Sequence, residues 1–428
     1  MDKILRKIKK YIPKKVFKFF QPFYHYGLAL FGALVYRFPG KKITVIGITG
    51  TKGKTSSAEI LNAMFEASGR KTALAGTLRI KTGDQTRRNM YKMTLPGRFF
   101  VQKFLRDAVD NKCDVAILEL TSEGAVQFRH KFTFLDGLIF LNISPEHIES
   151  HGSFENYLNA KLSIGRELAK SSKKKTVMVA NNDDVHGKDF LGLKTTESIP
   201  YSITDAKNIT LENSGSRFVF MDHTFNTSLV GRHNIYNIIG CGYMAEQFGV
   251  APHEMVEGVK NLTEILGRGQ KITLDKNDPH FSTQDFTAIV DYAHTTNSLE
   301  AIYNAFEHER KICVLGNTGG GRDKWKRPEM GKIADTYCSH IILTNEDPYD
   351  EDPMQIVNEM KEAISITKTE IIIDRQEAIQ KAINLAQKDD VVIITGKGTD
   401  PYIMIEDGKK IPWSDADVTR EAIKKKLS

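Results

Sequence analysis

A chain of 428 residues, 40% of them hydrophobic, is long enough for two or three domains with separate cores and has the composition of an ordinary soluble globular protein. Its four cysteines, Cys113, Cys241, Cys313 and Cys338, lie far apart without a CxxC pair, which excludes a zinc site and a disulfide framework at the level of sequence and suits a reducing cytoplasm. The net charge of +7 is unevenly placed: residues 1–42 hold eleven Lys or Arg against Asp2 alone, so residues 43–428 carry about −3, and no nucleic-acid groove is indicated there.

The basic head is the first predicted element. Ile4, Leu5, Ile8, Tyr11 and Ile12 recur at helical spacing among Lys3, Arg6, Lys7, Lys9 and Lys10, and Pro13 stops that helix. From Phe19 to Tyr36 there is no charged residue, and aromatics are frequent. A basic amphipathic helix followed by an aromatic run suits peripheral contact with an anionic membrane. A span is marginal, because Gln21, Pro22 and His25 interrupt a stretch of minimal length, and no small-residue site marks a cleaved signal. A helical arm packed on its own protein is the alternative.

From residue 43 the pattern becomes strand, loop and helix. "ITVIGIT" is a β-branched run, and "TSSAEILNAMFEAS" sets Ile60, Leu61, Met64 and Phe65 on one helical side. Buried strands are predicted at "DVAILEL", "DGLIFLN" and "KTVMVAN", β-hairpin material over 200–230 with "SRFVFM" as a strand, and a helix at "GRHNIYNIIGCGYMAEQFG". A second alternating series supplies "TAIVDYA", "KICVLGN", "HIILTNE", "TEIIID" and "DVVIITGKG". Strands alternating with helices predict an α/β fold: a central P-loop ATPase-type domain with a parallel sheet over residues 43–266, then a Rossmann-like α/β domain over 267–428, with 1–42 as the head.

The stretch "GITGTKGKTSS" (47–57) follows the first strand and opens the first helix. Such a turn points backbone N–H groups and the positive helix end at a phosphate. Gly50 and Gly53 let the backbone approach, Lys54 can meet the β- and γ-phosphates, and the Thr55 hydroxyl can bind Mg²⁺. The first glycine of the usual Walker A spacing is missing, since Ile48 stands there.

Thr49 through Thr55 resemble the TGTxGKT loop of the Mur ligases, the ATP-dependent amide-forming enzymes of cell-wall synthesis, whose superfamily includes folylpolyglutamate synthetases. Six further segments resemble that family in the same order: "LELTSEGAVQFR" (118–129), "LNISPEHIESHGSFENYLNAKLSI" (141–164), "GRHNIYNIIG" (231–240), "VDYAHTTNSLEA" (290–301), and the pair "GGGRDKWKRPEMG" (319–331) and "ITGKGTDPYIMI" (394–405), which resembles the MurE branch in particular. The resemblance implies ATP and Mg²⁺ as cofactors, with a carboxylate activated as an acyl phosphate and attacked by an amine. It implies Lys54, Lys161, His147 and Arg322 as catalytic residues. Gly50, Thr51, Lys52, Gly53, Lys54, Thr55, Ser56, Asn234, Asn237, Asp291 and His294 fall on the nucleotide side, although two helical Asn could equally cap or pack. Thr94, Ser122, Gln127, Arg129, Lys326, Asp347, Tyr349, Gly396 and Asp400 fall on the side of the acceptor and the amino acid. Thr55, Glu119, His147 and Lys161 are implied as the metal set, with Lys161 at the position of a carbamylated lysine.

The chain also departs from the family. Residues 1–42 stand where a MurE-type protein has a full UDP-gripping domain, so the expectation is that UDP recognition is lost or rebuilt, or that a lipid-linked substrate is held at a membrane. In "NEDPYDEDP" (345–353), Tyr349 stands where the diaminopimelate-adding motif carries arginine, and tyrosine cannot replace a bidentate guanidinium. Glu346, Asp347 and Asp350 would suit an amine-ended side chain such as that of lysine, or form a solvated acidic loop. The expected partners are a peptidoglycan precursor and an amino acid, with an anionic membrane surface for the head and no nucleic acid. The expected location is the cytoplasm, at the inner face of the plasma membrane if the head docks there. Another acceptor within the superfamily, a non-catalytic nucleotide-binding protein and a P-loop kinase or motor ATPase are the alternatives.

Overall fold

Strands that are apolar on both faces must be covered by helices on both sides, and this chain uses that solution twice. The structure, a computed structural model, describes residues 14–91, 93–146, 148–321 and 324–428, with side chains from residue 20 onward; the helix expected over 3–12, His147 and Arg322 lie outside them. Internal contacts divide the chain into two units, the first running to Ser144 and adding Ser153–Asp205 and Asn237–Gly258, the second holding Pro145–Gly152, Ala206–Tyr236 and Val259–Ser428. The division across the boundary expected near residue 266 is interleaved, and the described part of the head groups with the first unit.

In the first unit the strands are β1 (Thr44–Thr49), β2 (Thr72–Ala75), β3 (Arg79–Thr82), β4 (Gln85–Arg88), β5 (Val115–Glu119), β6 (Gly137–Phe140), β7 (Val177–Asn181) and β8 (Glu197–Tyr201). They form one sheet in the order β4-β3-β2-β5-β1-β6-β7-β8, parallel except for the β2-β3 and β3-β4 pairings. Because β1 runs parallel to both β5 and β6, three neighbouring strands deliver their carboxyl ends to one place, where open α/β sheets bind ligands. The helices that matter for the site are α1 (Lys14–Val35), α2 (Lys54–Ala67), α3 (Arg98–Asp110), α4 (Ser122–Val126), α5 (Phe154–Ala169) and α6 (Arg232–Gln247).

The aromatic run of the head is helical through Val35 in α1, with Pro22 inside the helix. Ala29 and Ala33, four residues apart and buried, keep one face of α1 slim, and α1 packs on α3 with Phe31 edge-on to Phe99 at 5.8 Å. Arg106 of α3 donates from Nη2 to the Tyr36 carbonyl at 2.8 Å, which fixes the turn that follows α1. Phe20, Phe23, Tyr24, Phe31, Leu34 and Val35 are nevertheless each more than half exposed. Among the described residues no helix is long and apolar enough to cross a membrane.

The second unit carries an antiparallel sheet of β9 (Lys207–Glu212), β10 (Gly215–Phe220) and β11 (His223–Thr227). Its main sheet joins β12 (Gln270–Ile272), β13 (Thr287–Val290), β14 (Lys311–Leu315), β15 (His340–Leu343), β16 (Lys368–Ile371) and β17 (Val391–Ile394) in the order β12-β13-β17-β14-β15-β16, with only β12 antiparallel. Helices α7 (Lys326–Tyr337), α8 (Arg375–Leu385) and α9 (Asp415–Leu427) pack in this unit. The expectation of no disulfide needs correction: Cys313 in β14 and Cys338, which closes α7 just before β15, are bonded. Adjacent parallel strands bring together positions 25 residues apart, which no local spacing announces.

One buried ion pair anchors α8 to α9. Arg375 donates from Nε and Nη2 to both oxygens of Asp415 at 2.8 Å, and also to the Thr395 and Asn345 carbonyls, while Trp413 Nε1 donates to Asp415. Both side chains are at most 1% exposed. Asp415→Asn would leave a dry guanidinium without its counter-charge, and the expected loss in a urea titration is about 3–5 kcal/mol. A loss under about 1 kcal/mol would mean that water or a second acid compensates it.

Candidate functional site

The loop after β1 is shaped as much by its neighbours as by its glycines. Gly53 takes φ +83°, and a Cβ there would come within 2.6 Å of Asn237 Oδ1 on α6, so both conformation and space require glycine. Asn142, beyond β6, pins the turn: Lys52 N–H donates to its Oδ1 at 2.9 Å, its Nδ2 donates to the Lys52 carbonyl at 3.2 Å, and Thr51 N–H donates to its carbonyl at 2.9 Å. Thr51 Oγ1 meets Tyr157 Oη at 2.8 Å and accepts from Ser144 N–H at 3.1 Å. Thr55 and Ser56 sit buried in the first turn of α2. With its N–H groups at the helix start, the loop is a built cradle for phosphate.

Its charge is strongly positive. Lys54 Nζ donates to the carbonyls of Gly50 at 2.8 Å and Thr51 at 2.9 Å, and Lys161 Nζ, from α5, donates to the same Gly50 oxygen at 2.8 Å. Lys161 is 1% exposed and lies 4.8 Å from the Tyr157 ring centroid. Burial first, then the charges of Lys54 and Lys52, hold its amine well below the usual lysine range.

The carboxyl end of β5 supplies the opposite charge. Glu119, 1% exposed, accepts at Oε2 from Thr55 Oγ1 at 3.1 Å and from Thr77 Oγ1 at 3.0 Å, and at Oε1 from Thr77 N–H at 2.8 Å. Gly76 must be glycine, since a Cβ would sit 2.3 Å from Glu119 Oε1. A hydroxyl and a carboxylate side by side at the end of a phosphate loop are the oxygen donors that a hard divalent cation takes. Among the described residues no group of three or more His, Cys, Asp or Glu gathers, and His147 is not among them.

The residues expected on the acceptor side continue from this point. Thr94 Oγ1 lies 3.0 Å from Thr77 Oγ1, so Thr55, Glu119, Thr77 and Thr94 form one hydrogen-bonded chain. Arg129 donates from Nη1 to the neighbouring Leu95 carbonyl and from Nη2 to Gln127 Oε1 at 2.8 Å. Ser122 is buried at the start of α4.

In the second unit, Asp291 accepts from the N–H groups of Gly269 and Ala293, both at 2.6 Å, and His294 Nδ1 lies 2.7 Å from the Tyr292 carbonyl. Asn234 donates to the Val230 carbonyl at 2.8 Å. Lys326 Nζ is 3.7 Å from Glu146. The acids of "NEDPYD" are not a free cluster. Asp347 is buried and accepts from Lys397 Nζ at 2.8 Å and from Met404 N–H at 2.7 Å, with Asp400 also 3.3 Å from Lys397. Glu346 is buried, takes the Thr318 hydroxyl at 2.7 Å and would strike a Cβ at Gly396; burial raises its carboxyl pKa. Of these acids only Asp350 lies at the surface, and Tyr349 takes φ +52° beside Gly320.

Sequence reasoning missed Asn142, Tyr157, Thr77 and Lys397. The first two lie inside "LNISPEHIESHGSFENYLNAK" and could have been found there; Thr77, 42 residues from Glu119, leaves no local signal.

Comparison with known proteins agrees with this geometry. Residues 48–245 match the family described as "Mur ligase middle domain", and residues 280–398 the one described as "Mur ligase, glutamate ligase domain". The chain is 32% identical over 410 residues to "UDP-N-acetylmuramoyl-L-alanyl-D-glutamate--2,6-diaminopimelate ligase 1" of Clostridium acetobutylicum, covering 93% of this chain and 81% of that protein. The corresponding ligase of Bacillus cereus is 32% identical over 416 residues, covering 94% and 82%. A solved structure of a "UDP-N-acetylmuramoyl-L-alanyl-D-glutamate--2, 6-diaminopimelate ligase" superposes with a TM-score of 0.60 at 28% identity, over 90% of this chain and 78% of that one.

Asn142→Ala would free the Thr51–Lys52 turn while leaving every charged group in place. The expected result is about a tenfold weaker affinity for a Mg²⁺-bound non-hydrolysable ATP analogue by calorimetry. Unchanged affinity would mean that the glycines alone shape the loop.

Proposed function

We propose, since the chain belongs to the Mur ligase family, that it is an ATP-dependent ligase joining an amino acid through an amide bond to the peptide of a peptidoglycan precursor such as UDP-N-acetylmuramoyl-L-Ala-D-Glu. The observation that carries this reading is the continuous chain from the phosphate loop through Thr55, Glu119 and Thr77 to Thr94, with Arg129 beside it. An activating phosphate and an anionic acceptor would meet at its two ends.

In this mechanism the loop N–H groups and Lys54 hold the ATP phosphates, and Lys161 adds positive charge behind them or, carbamylated, an anionic ligand. Mg²⁺ held by Thr55 and Glu119 would neutralise the phosphate oxygens. The γ-phosphoryl group passes to the acceptor carboxylate, ADP leaves, and the amine of the amino acid attacks the acyl carbon. Collapse of the tetrahedral adduct expels phosphate, and the amine loses its proton. Cations facing the reacting oxygens do most of this work, since charge develops on oxygen throughout.

The relatives' names specify diaminopimelate, but Tyr349 offers no clamp for a distal carboxylate. Lysine is our assignment for the added amino acid. Asp347 is already engaged by Lys397, so Asp350 and the surface of the loop are left to meet its amine. The exposed aromatic face of α1, on a head carrying +10, we further assign to an anionic lipid surface.

The test is phosphate release from ATP with UDP-N-acetylmuramoyl-L-Ala-D-Glu and a panel of amino acids, with product mass read out and Lys54→Ala as the dead control. Turnover with lysine above diaminopimelate is expected; turnover with diaminopimelate alone would overturn the specificity, and silence with every amino acid would overturn the acceptor. Separately, sedimentation with vesicles containing anionic lipid should weaken at least about tenfold when Phe20 and Phe23 are both changed to Ser. An unchanged vesicle-bound fraction would sink the docking face.

A further inference from the structure

Two arginines in the first unit share a half-buried space without an acid. Arg129 is 9% exposed, its Nε is buried without a hydrogen-bond partner, and its acceptors are the Leu95 carbonyl, the Gln127 amide oxygen and the Met93 sulfur. Arg98 is half-buried; its Nε donates to the Gln127 carbonyl at 2.7 Å, and its Nη2 is hydrogen-bonded to His25 Nδ1 of α1. Among the described residues neither guanidinium has a carboxylate at ion-pair distance. Burial lowers the pKa of both, and the charge of Arg129 lowers that of Arg98 further. Burial first, then the charges of Arg98 and Arg129, hold the His25 imidazole down to about 4, so at neutral pH it is uncharged and accepts a hydrogen bond from Arg98. The charged or titratable groups that oppose these cations are the exposed Glu123, acting on Arg129, and Tyr24, acting on Arg98.

Arg98 is also the first residue of α3, a helix of 13 residues. Its N-cap, Gly97, gives no side chain to the free N–H groups, and the first turn holds no acid. Positive helix end and guanidinium therefore coincide. Gathering like charges in a half-dry space is unfavourable unless an anion completes it. Arg129 bonds to Leu95, next to Thr94 at the end of the hydroxyl chain from Glu119, so an anion here would belong to the molecule being activated rather than to ATP.

We propose that Arg98, Arg129 and His25 form a binding site for an anionic oxygen group of the acceptor, with the head helix α1 as one wall of the acceptor site. This deepens the ligase reading and rests on it for the identity of the acceptor. His25 is a positioning residue: it orients the Arg98 guanidinium, and α1 contributes to substrate binding as well as to packing. The group is a phosphate or a carboxylate, since paired guanidiniums take either in the same planar geometry.

The experiment is calorimetry on the full chain with the phosphate loop saturated by Mg²⁺ and a non-hydrolysable ATP analogue. The probes are UDP-N-acetylmuramoyl-L-Ala-D-Glu, the sugar peptide N-acetylmuramoyl-L-Ala-D-Glu without nucleotide, and UDP. Arg98→Ala should weaken the whole precursor about ten- to a hundredfold, with Arg98→Lys in between and His25→Ala losing less. The same loss for UDP alone assigns the site to a phosphate; the same loss for the sugar peptide alone assigns it to a carboxylate. In turnover, KM should rise with kcat kept, which a merely structural role would not produce. Equal affinity of Arg98→Ala and wild type for all three probes overturns the proposal, and so does a wild type that binds none of them. Should Arg98→Ala fail to fold, Arg98→Lys and His25→Ala are judged by the same criteria. Silence in the amino-acid panel with these losses present would refute the reaction and keep the site; turnover with unchanged affinities would do the reverse.

Discussion

Two ammonium groups converging on the carbonyl oxygen of Gly50 set the terms for the rest of the first unit. One belongs to Lys54 at the start of α2, the other to Lys161 from α5, so the loop, the helix it opens and a helix more than 90 residues later are tied at one atom. A backbone carbonyl satisfies hydrogen bonds but only partly offsets charge. The amine of Lys161 accordingly lies far below its ordinary pKa, and the electrostatics of the crevice favour whatever brings negative oxygen into it. The glycines give the loop its path, and Asn142 holds that path rigid from the neighbouring strand end.

The molecule holds its buried cations in two ways, by acids and by neutral oxygens or nitrogens. In the second unit several are matched with acids, Arg375 with Asp415, Arg327 with Glu351 and Glu359, Lys397 with Asp347, while Lys311 rests on backbone carbonyls. Such pairs fix helices and loops in place, and breaking one is costly. In the first unit Lys161, Arg98 and Arg129 are bonded to carbonyls, an amide and an imidazole instead. Glu119, buried nearby, accepts from two hydroxyls and an N–H. Cations held by carbonyls rather than acids, beside a buried carboxylate, are what a site for a metal-bound phosphate and an anionic acceptor requires.

Much of the fold was legible because its signals are local. The run "ITVIGIT" followed by "GTKGKTSS" specifies strand, turn and helix within a dozen residues, and the alternation of apolar runs with helical stretches gave both sheets their strands. What escaped were pairings across long separations. Thr77 meets Glu119 because β2 runs beside β5; Cys313 meets Cys338 because β14 runs beside β15; neither neighbourhood leaves a spacing in the sequence. The acids of "NEDPYD" misled for the same reason. A cluster that reads as solvated or as poised for an amine is mostly consumed inside the fold, since Lys397, fifty residues on, claims Asp347.

The head illustrates how a composition signal can leave position open. Its aromatic run suggested either a membrane surface or an arm packed on the protein, and α1 packs on α3 while leaving several aromatics exposed. Ala29 and Ala33 let one face settle on α3, while Phe20, Phe23 and Phe31 remain in water. His25, which as an interruption in an apolar run counted only against a membrane span, lies where the packed face meets Arg98. A polar residue that weakens one role of a helix therefore equips it for another. Because α1 touches both Arg98 and the solvent, anything that draws the aromatic face out of water acts on a helix that also holds an anion-binding guanidinium in place.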